Sequence, residues 1–162
     1  MFKAVLVLAV ASVFLLTGCR RGEITIDPQS RSVSVTLQES DINDVIAEAL
    51  AAQSNPLLRN PSVDLQPGLI VVNGEHVRRD GSGATVSGSI SFRPTVTNNR
   101  LEITVESVAI DGLPNADDAL MDFATKLADK LNARLQRTVR VFEVTSITVT
   151  DTSLSFVLQR GD

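Results

Sequence analysis

Few side chains in this chain of 162 residues could carry covalent or acid–base chemistry. There is one thiol, Cys19, and one imidazole, His76. A metal site needs several His, Cys or acidic ligands at defined spacing, and nothing near His76 supplies that set. Its neighbours Arg78 and Arg79 mark a strand end, where a histidine reads as a solvated side chain. A serine nucleophile would need His76 as its base, yet the Gly-x-Ser-x-Gly elbow that presents such a serine is absent. Gly81-Ser82-Gly83 reads as a turn, because phosphate loops need a longer glycine-rich run opening a helix. Asp117-Asp118 is a carboxylate pair at an exposed helix start, where capping accounts for it. No residue asks for a catalytic role. The expectation is a protein that is not an enzyme and carries no metal or cofactor.

Cys19 differs from the others by where it stands. It closes an N-terminal run with Lys3 as the only charge, followed by an apolar segment from Ala4 to Leu16. A basic start, a short apolar stretch and small residues before a cut describe a signal peptide. The apolar stretch falls short of the roughly 20 residues that span a bilayer. Leu16-Thr17-Gly18-Cys19 resembles the bacterial lipobox, a branched aliphatic and two small residues before a cysteine. That resemblance implies a diacylglyceryl group on the Cys19 thiol and cleavage just before it. It divides the chain into a signal peptide over 1–18, a lipidated cysteine and tether over 19–22, and one domain over 23–162. The expected location is outside the cytoplasm on a bacterial membrane. Arg20 lacks the aspartate that retains Gram-negative lipoproteins at the inner membrane, so the outer membrane is expected there, and the outer face of the cell membrane otherwise.

The tether is short, because Glu23-Ile24-Thr25-Ile26 already alternates like a strand. Such a tether would hold the domain close to its membrane. Arg20 and Arg21 would then lie near anionic head groups, at about 1 kcal/mol each, or simply be solvated. Removing residues 1–18 takes the net charge from −4 to −5. That acidity argues against a nucleic-acid partner, which needs a basic stripe. With one cysteine, no disulfide can form within the chain, so packing must hold the fold. The chain has no Trp and no Tyr, which weakens carbohydrate binding and hot-spot protein interfaces.

The remaining pattern is that of an α+β domain. Ser32–Gln38 alternates as a strand, and Ser40 offers an N-cap for a helix carrying Ile42, Val45, Ile46, Ala49 and Leu50 on one stripe. Asn55-Pro56 ends that helix, and Leu57–Pro61 reads as a loop. Ser62–Gln66 and Leu69–Val77 flank a Pro67-Gly68 turn. A long strand then runs from Ala84 to Val96, with Gly88 and Pro94 as bend positions. Past the turn at 97–100, Leu101, Ile103 and Val105 alternate until the phase slips to Val108 and Ile110. An extra residue near Glu106-Ser107 would be a bulge, and Val144-Thr145-Ser146-Ile147 echoes the slip. Asn115 is expected to cap a long helix over 116–136, with Leu120, Phe123, Ala124, Leu127, Leu131 and Leu135 as its apolar stripe. Strands over 138–149 and 154–158 close the chain.

A long apolar helix on long antiparallel strands can fill a dry core or leave an elongated tube, and periodicity alone serves both. The order of elements resembles the LmeA-like phospholipid-binding family, and more loosely the tubular lipid-binding (TULIP) lipoproteins. The residues that carry the resemblance are Val35–Asn43, Asp64–Val71, Val108–Pro114 and Val144–Val149. It implies a long curved antiparallel sheet wrapped around the amphipathic C-terminal helix, with a shorter N-terminal helix, and a phospholipid or other long-chain lipid held between. From the alternation and the stripe, the groove candidates are Ile90, Phe92, Leu101, Ile103, Val105, Leu120, Phe123, Leu127 and Leu131. The alternative is a structural or adaptor lipoprotein with a solid core that works through protein contacts.

Overall fold

The computed structural model describes residues 22–27, 32–115, 117–138 and 142–160. Eight strands and two helices follow in the order β1 (Glu23–Asp27), β2 (Ser32–Gln38), α1 (Glu39–Ala51), β3 (Arg59–Gln66), β4 (Leu69–Val77), β5 (Thr85–Thr97), β6 (Arg100–Ala109), α2 (Asp118–Thr138), β7 (Phe142–Val149) and β8 (Ser153–Arg160). The fold is α+β, with every strand pair antiparallel. The strands divide between two four-stranded sheets, β1-β2-β8-β7 (sheet A) and β3-β4-β5-β6 (sheet B). Sheet B is a local meander, whereas sheet A joins the two ends of the chain.

The hairpin turns of sheet B follow from their residues. Asn98 and Asn99 both take positive φ (50° and 60°), the backbone of a two-residue type I′ turn, which asparagine tolerates better than most residues. Gly68, at φ 79° after Pro67, completes the other turn. Both tips point to the same end of sheet B and dock on β7. There Gly68 N–H donates to the Val149 carbonyl (3.1 Å), and Val144 N–H donates to the Asn99 carbonyl (3.1 Å). The Asn99 side-chain amide also reaches Glu143 Oε2 at 2.6 Å. The two sheets are therefore sewn together along one edge strand.

The bulge expected in β6 is present. Ser91 faces Ser107 and Phe92 faces Val105, which leaves Glu106 as the extra residue. Glu106 accepts a hydrogen bond from Arg93 Nε at 2.9 Å across the hairpin. A second bulge in β7 leaves Thr145 extra between Val144 and Ser146. Gly88 in β5 serves close packing: a Cβ there would lie 2.6 Å from Ile110 Cγ1.

Both helices begin elsewhere than the sequence suggests. Gln38, not Ser40, is the N-cap of α1, and its N–H donates to Asp41 Oδ2 at 3.1 Å. Asp117, not Asn115, caps α2, its Oδ1 accepting from Ala119 N–H at 2.9 Å. At α2 the Asp117 carboxylate reaches a free first-turn N–H, whereas at α1 the Asp41 carboxylate reaches back to the N–H of the N-cap residue, as in a capping box. Asp41 is 5% exposed and also receives Arg134 from α2 at 3.2 Å, so it ties the two helices together.

The edges of sheet B are closed by helix side chains. Along β3, Val63 N–H donates to Asn43 Oδ1 and Leu65 N–H to Glu39 Oε2, each at 3.1 Å. Along β6, the Asn132 amide accepts from Leu101 N–H (3.1 Å) and donates to Leu101 C=O (2.9 Å). Asn132 is 6% exposed, and its amide acts as a one-residue stand-in for a neighbouring strand.

Replacing Asn132 by Ala should leave two buried backbone groups unpaired, at about 1–3 kcal/mol each. Urea unfolding of Asn132→Ala should therefore lose about 2–6 kcal/mol, and an unchanged midpoint would show the clamp contributes nothing. The Arg93 hydrogen bond and charge hold the exposed Glu106 carboxyl below its ordinary value of 4.5. The contribution of this pair is present above the ordinary glutamate range and is lost as pH falls through the lowered folded-state value. An NMR titration should find Glu106 below 4.5 in the native chain and shifted upward in Arg93→Gln.

Candidate functional site

The expected groove lies where α2 crosses sheet B, and the structure brings all nine candidates to that place. Ile90 and Phe92 come from β5; Leu101, Ile103 and Val105 come from β6; Leu120, Phe123, Leu127 and Leu131 come from one stripe of α2. The stripe forms because leucines and Phe123 recur every three or four residues, which puts them on one helix face. Eight of the nine are buried at 8% exposure or less, and Val105 packs against them half-buried. The Phe92 and Phe123 rings meet at 5.7 Å between centroids with planes tilted by 55°, a favourable aromatic geometry. These side chains share one core with Ile42 and Ile46 of α1 and Leu154 and Phe156 of β8. The seam between helix and sheet is occupied by the candidates themselves.

A cleft of about 380 Å³ opens at one end of that seam, between the β5–β6 turn and α2. Its floor includes Leu101, Ile103 and Ala128, and its rim carries Arg100, Asp129 and Thr125. Arg100 and Asp129 approach to 3.8 Å across the rim, with both side chains largely exposed. Such an exposed pair contributes at most about 1 kcal/mol, so it restricts the opening only weakly. A second depression, on the outer face of sheet B, is lined by polar residues such as Asn60, Ser62, Asn73 and Ser89.

His76 stands apart from both places and is not solvated. It is 4% exposed, and its Nδ1 lies 2.8 Å from the Leu57 carbonyl. A carbonyl can only accept, so Nδ1 carries the proton and donates it. The imidazole thereby pins the segment after α1, whose Leu57 and Leu58 are core residues at 0% and 1% exposure rather than parts of a surface loop. No period marks these two leucines, because they lie between α1 and β3. Asn132 was equally hidden, since a lone polar residue beside a leucine stripe looks like the solvent face.

Cys19, Arg20 and Arg21 lie outside the described residues. Among the described residues no cluster of three His, Cys, Asp or Glu side chains could hold a metal ion, and no helix is long and apolar enough to cross a membrane.

His76→Ala should unpair the Leu57 carbonyl and leave a void, lowering stability by about 2–4 kcal/mol in urea unfolding. A variant as stable as the native chain would mean that the imidazole is not a structural anchor. No protein-family model matches the chain, and no curated protein matches it at a significant level.

Proposed function

We propose that this chain is a membrane-anchored bacterial envelope lipoprotein, held by a lipid on Cys19, whose domain is non-catalytic and works as a structural or adaptor protein through its surface. It would sit on the outer membrane of a Gram-negative cell or on the outer face of the membrane in other bacteria. The observation that supports surface action is the filled seam. Freeing a tube there would mean lifting α2 from sheet B and exposing Leu120, Phe123, Leu127 and Leu131. At about 1.5–3 kcal/mol for each large side chain, this costs roughly 6–12 kcal/mol before any ligand enters. That is comparable to the whole stability of a typical domain, about 5–15 kcal/mol.

The second reading is the one implied by the resemblance to LmeA-like proteins, with a phospholipid or other long-chain lipid held between sheet B and α2. In that reading the sheet curves round the helix and encloses the acyl chains. The cleft beside Leu101, Ile103 and Ala128 favours it, because it opens along the expected groove and could admit the end of one chain.

Native mass spectrometry of the segment 20–162, purified without detergent and then incubated with liposomes, separates the two. The expected result is the mass of the protein alone. A lipid retained near one-to-one, and lost when Thr125→Trp fills the mouth of the cleft, would move the conclusion to lipid binding.

A further inference from the structure

β1 is unlike the other strands, because all five of its residues are exposed. Among the described residues it pairs only with β2 in the strand order, and no strand neighbours its other side. Ile24 lies opposite Val35, and Ile26 opposite Val33. Directly opposed residues share a face, so the two isoleucines continue the apolar face of sheet A beyond the core. They are 50% and 69% exposed. Glu23, Thr25 and Asp27 alternate with them and take the other face. β1 is thus an amphipathic strand with a bare apolar side and an acidic one.

The chain just before β1 is pinned. A Cβ on Gly22 would lie 2.5 Å from the Thr36 carbonyl oxygen, so this position accepts glycine and holds the chain tightly on β2. Only Arg20 and Arg21 separate Gly22 from Cys19. Three Cα–Cα steps span at most about 11 Å. If Cys19 carries a lipid, the start of β1 cannot leave the head-group layer.

We propose that the apolar side of β1, Ile24 and Ile26, is a lipid-docking ledge that seats in the boundary between head groups and acyl chains, with Glu23 and Asp27 turned away from the surface. This rests on the reading of Cys19 as the anchor. The chain length supplies the argument for a bilayer over another occupant. A second copy pairing β1 with β1 in antiparallel register about Thr25 would set Glu23 against Asp27 at both ends, and like charges directly opposite are unfavourable. With the ledge seated, the anchored domain has a fixed orientation, β1 down, instead of swinging on its leash.

The test uses the full chain, exported from its own N-terminal segment and reconstituted in vesicles of phosphatidylethanolamine and phosphatidylglycerol. Ile24→Cys, Thr25→Cys and Ile26→Cys variants are treated with a membrane-impermeant thiol reagent, the Cys19 thiol being blocked by its lipid. The expected result is loss of labelling at 24 and 26 with labelling kept at 25. Equal labelling at all three positions, with intact mass showing an acylated Cys19, would overturn the ledge and leave the anchor standing. Protection at 24 and 26 that persists after release from the vesicles and coincides with a cross-linked protein would also overturn it, in favour of a protein partner. An unmodified Cys19 by mass would remove the anchor and this proposal with it.

Discussion

Every open sheet must do something with the hydrogen-bonding groups on its outer strands, and the structure of this domain depends on how sheet B solves that. An edge strand left bare invites pairing with other chains. Here the donors come in pairs two residues apart on β3, about 6.7 Å along the strand. Glu39 and Asn43 are four residues apart on α1, about 6 Å along the helix. The two periods nearly coincide, so a helix laid beside the strand can satisfy both donors without distortion. Asn132 does the same for Leu101 on the opposite edge with a single amide. The helices are thereby registered against the sheet by polar contacts, and the apolar stripes then have no freedom but to interdigitate.

That registration bears on why the seam is filled. A helix held only by apolar contacts could slide or lift to admit a ligand, since such contacts are non-directional. A helix held by a buried amide bonded at both ends, and tied through Arg134 to a buried Asp41, has one position. The same polar residues that make the fold specific make the interior unaccommodating. The surface, the cleft at the turn end and the exposed strand β1 are what remain for function.

Much of this was legible in the residues. The Ser32–Gln38 strand, the 13-residue β5, the phase slip that became the Glu106 bulge and the α2 stripe all follow from periods of two and 3.6. What periodicity could not say is which strands are neighbours. The alternation in β2 and β8 marks their faces, yet nothing local reveals that Thr36 will bond Ser155 at 3.1 Å. The resemblance implies one long curved sheet, and the structure instead divides the strands between two. The helix caps were misplaced because several acceptors stand close together near each start, and only the fold decides which reaches an N–H. Leu57 and Leu58 lie outside any regular element, where burial leaves no pattern, whereas His76 keeps the period of Ile70 and Val72 in β4 and shares their inward face, against the reading of it as a solvated strand end. The groove candidates lie together in one buried cluster, while the space around them is a property of packing that side-chain identities do not encode.

The topology of sheet A has a further bearing, on the order in which the molecule can come into being. Sheet B and its covering helix α1 are contiguous in the chain, so they can assemble from a nascent segment. β2 waits for β8, which among the described strands is the last to be synthesised. Contacts between such distant segments are slow to form. Until then β2 has no partner on that side, and sheet A closes only once β8 is threaded into the gap between β2 and β7.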